Sequence, residues 1–241
     1  MKENYFDLCD RQYDATLDQV EGLARYPWVG SKFANSDCRP LLIGDSHYAI
    51  DDNKNFSQEA YEEFKDKDST RRIVDTVIKN KCKGESTWKM YEGLLSTFIE
   101  MSPENTKAFW SKVAFYNFIQ KVMKSIDEKP TDDDKRNGWR CLAGVIKVLK
   151  PTSILIIGVR NDGGSNSIND DEIKLEDFKD DMEHKVNNCV PRIGKIILKS
   201  HSTPRTIPLT LIKHTSQRYS HNLWKDYLRI RDPQLMDYMS K

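Results

Sequence analysis

The 241-residue chain has no apolar run of membrane-spanning length, no Cys-x-x-Cys spacing, no internal repeat and no low-complexity tract. The first absence argues against a transmembrane helix, which needs about 20 consecutive apolar residues. Five cysteines (Cys9, Cys38, Cys82, Cys141 and Cys189) are scattered and odd in number. That pattern speaks against metal or iron–sulfur ligation and for a reduced intracellular setting, taken here as cytoplasmic. Residues 1–5 lack the charged-then-apolar layout of a signal peptide. What is present is ordinary: 38% hydrophobic and 31% charged residues, enough apolar material for the core of one α/β domain with insertions.

Overall charge is nearly absent too, at +1, but its distribution is uneven. Stretch 162–185 holds nine acidic residues against three lysines, whereas 189–231 holds nine basic residues against Asp226 alone. A local basic field attracts polyanions whatever the total charge, so 189–231 points toward DNA as a partner.

Along the chain, residues 1–38 read as a helical lead-in, with Leu8, Tyr13, Leu17, Val20 and Leu23 at roughly helical spacing. A buried strand follows over Pro40–Gly44, then a polar loop or lid over 49–69 and helices over 70–80 and 87–100. Ser102-Pro103 starts another short helix. Strands are expected at 113–118, 153–158 and 207–213, with a further strand or hairpin arm at 193–198. Thr131 caps a helix to about Leu149, and 224–238 closes the chain as one helix. Residues 49–110 and 161–190 read as insertions, the second acidic with at most a short helix. Asn161-Asp162-Gly163-Gly164 reads as a plain turn, and His184, His201 and His221 as structural. Buried strands alternating with helices predict a single three-layer α/β/α sandwich, built on a mainly parallel, four-stranded sheet with helical and loop insertions.

Two strands end in chemistry. Arg39-Pro40-Leu41-Leu42-Ile43-Gly44 breaks into Asp45-Ser46-His47-Tyr48, and Leu209-Thr210-Leu211-Ile212-Lys213 into His214-Thr215-Ser216. In open parallel sheets, functional residues gather at the carboxyl ends of strands. If these strands are neighbours, the chain is an enzyme.

Five stretches come in order: Gly44-Asp45-Ser46-His47-Tyr48, Phe115-Tyr116-Asn117, Pro130-Thr131, the run from Leu149 through Pro151 to Gly158, and His214-Thr215-Ser216. Together they resemble the uracil-DNA glycosylase superfamily. Its members carry a first motif after strand one, a strand ending in asparagine, a proline-led strand ending in glycine, and a final His-Pro-Ser. The match covers roughly residues 38–48 and 110–225. It departs in placing His47 at the motif-one proline, Ser46 at the water-orienting aspartate of the most active members, and Thr215 at the proline of the last motif.

The resemblance implies a DNA glycosylase acting on a flipped-out pyrimidine-type base, without metal or organic cofactor, as a monomer. A flipped base must be read along its edge while charge is stabilised at the sugar and the leaving base. Asn117 offers a donor and an acceptor side by side for reading the base. His214 could stabilise charge on the departing base, and Asp45 the cationic sugar or the attacking water, with His47 assisting. By resemblance Tyr48 faces pyrimidine C5. Ser46 and Ser216 could hold flanking phosphates, and Arg218 or Tyr219 could fill the gap in the duplex. The altered first motif suits a modified cytosine such as phage genomes carry, and with it an antiviral role; retained Tyr48 suits uracil. A DNA-binding protein without catalysis and a nucleoside or nucleotide hydrolase are the alternatives.

Overall fold

The computed structural model describes residues 5–51, 53–158, 163–199, 204–216 and 218–240. Its strands are β1 (Trp28–Val29), β2 (Pro40–Gly44), β3 (His47–Tyr48), β4 (Ala114–Asn117), β5 (Val122–Met123), β6 (Ser153–Ile157), β7 (Ile173–Asp180), β8 (Arg192–Leu198) and β9 (Arg205–Ile212). Seven form one sheet in the order β1-β4-β2-β6-β9-β8-β7, and β3 pairs with β5 apart from it. The neighbours β4, β2, β6 and β9 are parallel. β1 on one side and β8 and β7 on the other run antiparallel to their neighbours.

The expectation of a mainly parallel, four-stranded sheet is therefore corrected: the sheet is seven-stranded and mixed, with three parallel and three antiparallel ladders. The acidic 161–190 stretch conceals β7. Ile173 and Leu175 start a two-residue alternation, but a bulge between Glu176 and Lys179, with Asp177 at φ 52°, resets it before Phe178. Charges on such an edge strand discourage pairing with other chains. β1 is two residues long, too short to leave a periodic signal.

The helices are α1 (Asp14–Leu17), α2 (Gln58–Glu63), α3 (Ser69–Cys82), α4 (Lys89–Phe98), α5 (Pro103–Lys112), α6 (Asp132–Leu149), α7 (His221–Arg231) and α8 (Pro233–Met239). Leu42, Phe115, Leu155, Ile157 and Ile212 face one core with side chains of α3, α4, α5, α7 and α8. Leu41, Ile43, Tyr116, Ile154, Ile156 and Leu211 face the other with Leu17 of α1 and Trp139, Leu142, Val145 and Ile146 of α6. Apolar side chains on both faces explain the uninterrupted hydrophobic runs of these strands. α6 begins in a capping box, where Thr131 accepts from the Asp134 amide and Asp134 accepts from the Thr131 amide. Such a cap contributes about 1 kcal/mol. Left-handed Lys150 and then Pro151 end the helix.

The lead-in is mostly turns, with α1 only four residues long, because left-handed Gly22 and then Pro27 interrupt the helical pattern. The expected closing helix is two. Pro233 cannot continue α7, and Asp232 caps α8 by accepting from the Leu235 amide at 3.0 Å. Within 49–69, Ser57 caps α2. The 49–110 region is a layer of the protein, since Val74, Val77, Leu94, Leu95, Phe98, Phe109 and Trp110 all belong to the first core. Among the described residues no helix is long and apolar enough to cross a membrane. Asn161, Asp162 and His201 lie outside the described residues.

Candidate functional site at the carboxyl rim of the sheet

The parallel order β4-β2-β6-β9 sends the chain from β2 to its neighbour on one side and then to its neighbour on the other. In open parallel sheets ligands gather where strand order reverses in this way, beyond the carboxyl ends of the two strands flanking the reversal, here β2 and β6; the grooves along 179–187 and α7 lie apart from this rim. Gly44-Asp45-Ser46 occupies the end of β2. Gly158 at the end of β6 donates its amide to the Ile212 carbonyl of β9 at 2.8 Å.

Gly44 and Asn117 are partners in the β2–β4 register. A Cβ on Gly44 would lie 2.1 Å from Asn117 Oδ1 and 3.1 Å from the tip of the Phe115 ring. Glycine is therefore required for the Asn117 amide to fold over the end of β2. Asn117 is 5% exposed, and its Oδ1 is buried without a hydrogen-bond partner in the protein. Its backbone is fixed, because Gln120 Nε2 donates to the Asn117 carbonyl at 2.7 Å and Gln120 Oε1 accepts from the Ala24 amide at 3.0 Å. The Phe118 and Ile119 amides donate to the carbonyls of Gly44 and Asp45 at 3.0 and 2.9 Å.

His214 reaches the rim from β9, which β6 separates from β2, so the two strands that end in these motifs are not the neighbours expected from sequence. Ser216 donates its amide N–H to His214 Nδ1 at 3.3 Å, and Ser216 Oγ lies 2.7 Å from the same nitrogen. An amide can only donate, so Nδ1 is an acceptor and the ring proton sits on Nε2. Burial pushes the imidazole below the ordinary histidine value, opposed by the negative charge of Asp45. His214 is thus a neutral ring with Nε2–H as a donor. Asn117 and His214 stand on strands three places apart, about 14 Å between strand axes. Asp45 links them: it follows the Asn117 partner Gly44, and its charge is felt at His214.

α4 supports the His214 turn. Thr215 is buried and donates its hydroxyl to the Met90 carbonyl at 2.6 Å. A Cβ on Gly93 would lie 2.6 Å from the Thr215 carbonyl oxygen. Met90 and Gly93 were not singled out from sequence; a glycine inside a helical pattern is the one signal that marks close packing there.

The remaining expected residues divide. Tyr48 is half-buried beside Ser46 and Asp45, and burial raises its phenol. Ser46 Oγ is buried beside the Tyr48 side chain, a placement unlike that of a phosphate contact on the surface. Ser216 is occupied with His214. His47 is corrected to a core residue: it is 3% exposed, its Nε2 lies 3.2 Å from Thr70 Oγ1, and its ring packs 4.9 Å from Phe64. Burial, aided by Arg25, holds it neutral, well below the usual histidine value. Tyr219 is likewise corrected: its hydroxyl is 2.9 Å from Thr97 Oγ1 and its ring stacks on Trp224 at 5.9 Å. Arg218 is exposed at the loop apex with φ 43°.

The basic field of 189–231 is partly neutralised by the acidic stretch. Arg192 pairs with Asp180, Lys195 with Asp177 and Arg231 with Asp181, while Arg229 pairs with Asp226 of its own helix. His184 joins the Asp181–Arg231 pair, its Nδ1 2.6 Å from Arg231 Nη2, and His221 opens α7. Lys213 and Arg218, flanking the His214 turn, make no ion pair among the described residues; Lys213 donates to the Arg218 carbonyl at 3.3 Å. Among the described residues no group of three or more histidine, cysteine or acidic side chains is placed to hold a metal ion.

Compared with known proteins, the chain matches no family model and no curated protein.

Proposed function

We propose that the protein is a glycosylase-like enzyme that hydrolyses the N-glycosidic bond of a flipped-out pyrimidine-type base in DNA. The observation that carries this reading is the Asn117 amide folded over Gly44, one residue before Asp45, on the same rim as a His214 ring whose Nε2 bears the proton. The leaving base gains negative charge as the sugar gains positive charge. A donor and a negative group at one rim suit that pair of charges. Asn117 Oδ1, buried and without a protein partner, supports a base-reading role, because an unmet buried acceptor is what an incoming amino or imino group would satisfy.

In this mechanism Asn117 reads the base edge and His214 Nε2–H donates to the base oxygen where charge accumulates. Asp45 stabilises the cationic sugar or orients the water, and Tyr48 borders the base. Ser216 keeps Nδ1 occupied as an acceptor, so the ring proton stays on Nε2. The placements of His47 and Tyr219 favour structural duties, and neither takes part. Lys213 and Arg218 attract the phosphate backbone. Whether the base is uracil or a modified cytosine, and whether the role is antiviral, follows from the divergent first motif and not from the rim geometry.

The test is to incubate the protein with DNA containing uracil, and separately with cytosine-modified phage DNA, and to detect abasic sites by alkaline cleavage. His214→Ala should lower base release by about 100- to 1000-fold, the usual effect of losing one charge-stabilising donor. Asp45→Ala should also lower it, and DNA binding should weaken steeply with salt. Ser46, where an aspartate would orient water, favours a second reading: a DNA-binding protein without catalysis. If the parent protein binds both DNAs yet releases no base, that second reading replaces the first. Base release from free nucleosides, insensitive to salt, would instead favour the nucleoside hydrolase.

A further inference from the structure

The chain has five tryptophans, and four of them (Trp28, Trp110, Trp139 and Trp224) are 0–1% exposed. Trp88 is 54% exposed. It sits at the N-cap of α4 in extended backbone, with no cap hydrogen bond from its side chain. α4 is the helix that holds the His214 turn, through Met90 and Gly93. Trp88 therefore stands two residues from a direct contact with the candidate site.

An aromatic path joins it to the floor of that site. The Trp88 ring is 6.0 Å from Tyr91, Tyr91 is 5.6 Å from Phe115, and the Phe115 ring borders the space between Gly44 and Asn117. Tyr91 and Phe115 are buried, so the inner end of Trp88 is supported while its body is open to solvent. Nearby, Lys83, Lys89 and Glu85 are exposed and make no ion pair among the described residues, whereas the acidic Glu92 is taken by Lys81, which leaves the surroundings of Trp88 net basic. The exposed apolar residues Leu223 and Ile230 line a separate groove with residues 183–187, which Trp88 does not enter. A bare indole in net basic surroundings suits a polyanion with flat faces: aromatic rings stack on bases whatever their sequence, and lysines draw in the phosphates.

We propose that Trp88 is a base-stacking residue at the start of α4, beside the His214 turn, holding an unpaired base of DNA there. It takes the role that the sequence assigned to Tyr219, whose hydroxyl and ring are engaged by Thr97 and Trp224. This inference rests on the DNA reading of the rim and concerns binding alone, so it does not require that any base be released.

The test uses the full chain with two single-stranded oligonucleotides of equal length, one with the four ordinary bases and one made of abasic residues. Since the other four tryptophans are buried, fluorescence quenching reports on Trp88. The base-containing strand should quench the emission and the abasic strand should not. Trp88→Ala should weaken binding of the base-containing strand by about 5- to 150-fold, the range expected for one base–aromatic stack, and leave abasic binding unchanged. Trp88→Phe should restore most of the affinity. Equal affinity of Trp88→Ala and the parent for the base-containing strand overturns the proposal and leaves the DNA reading intact. Failure of the parent to bind either strand overturns both. A blue shift with anionic vesicles, and no response to either oligonucleotide, assigns Trp88 to a lipid surface and likewise overturns it. Unchanged thermal unfolding of the variants excludes misfolding as the cause.

Discussion

Asn117 Oδ1 fills the space where a side chain on Gly44 would begin, 2.1 Å from the position of that Cβ. The two residues are register partners on adjacent parallel strands, so one cannot change without moving the other. Gly44→Ala is expected to displace the Asn117 amide, to destabilise the protein by about 1–3 kcal/mol as overpacking does, and to abolish base release. Chemical denaturation and the abasic-site assay measure the two effects. Full base release by Gly44→Ala would show that the Asn117 position is irrelevant to the site.

Asn117→Leu separates recognition from stability. It removes a buried acceptor that has no partner at a similar side-chain volume, a change that is nearly neutral or stabilising. The expected result is an unfolding midpoint equal to or above that of the parent, with base release lost. A large drop in stability would mean that the amide is held by contacts the apo protein already satisfies.

Gly93→Ala should reverse the usual helical rule. At an open helical site the change gains about 0.5–1 kcal/mol. Here the new methyl would meet the Thr215 carbonyl at 2.6 Å, and that oxygen belongs to the turn carrying His214. The variant should be less stable than the parent and should lose turnover more than substrate affinity. A gain in stability would refute the close approach of α4 to the His214 turn.

Acid should weaken the fold through His47 and His214. Burial lowers both folded values below the ordinary histidine value of 6.5, so the unfolded chain takes up protons first as pH falls. The contribution of the neutral rings is full above about pH 6.5 and declines below it, by about 1.4 kcal/mol per pH unit for each ring while only the unfolded form is protonated. Urea midpoints between pH 7.5 and 5 should show this slope, and the His47→Gln, His214→Gln double variant should flatten it. An equal slope in the double variant would place the acid sensitivity elsewhere.

Tyr219→Phe should cost about 1 kcal/mol or less through the lost contact with Thr97, whose hydroxyl keeps the Gly93 carbonyl at 2.7 Å. Its DNA affinity should equal that of the parent, measured by fluorescence anisotropy. A marked loss of affinity would return Tyr219 to the DNA surface.

The amino-acid sequence by itself determined β2, β4, β6 and β9 as buried strands, because apolar residues on both faces leave uninterrupted runs, and it determined the starts of α5 and α6, whose caps are local. It also put Gly44, Asp45 and His214 at strand ends. Tertiary structure alone decided that the sheet has seven strands, since a bulge erases the alternation of β7 and pairing with β8 restores it. Packing alone turned His47 and Tyr219 inward and left Trp88 outside, because exposure depends on what covers a side chain, which no local pattern records. The hydrogen bond that fixes the proton of His214 on Nε2 likewise exists only once the turn to Ser216 is folded against α4.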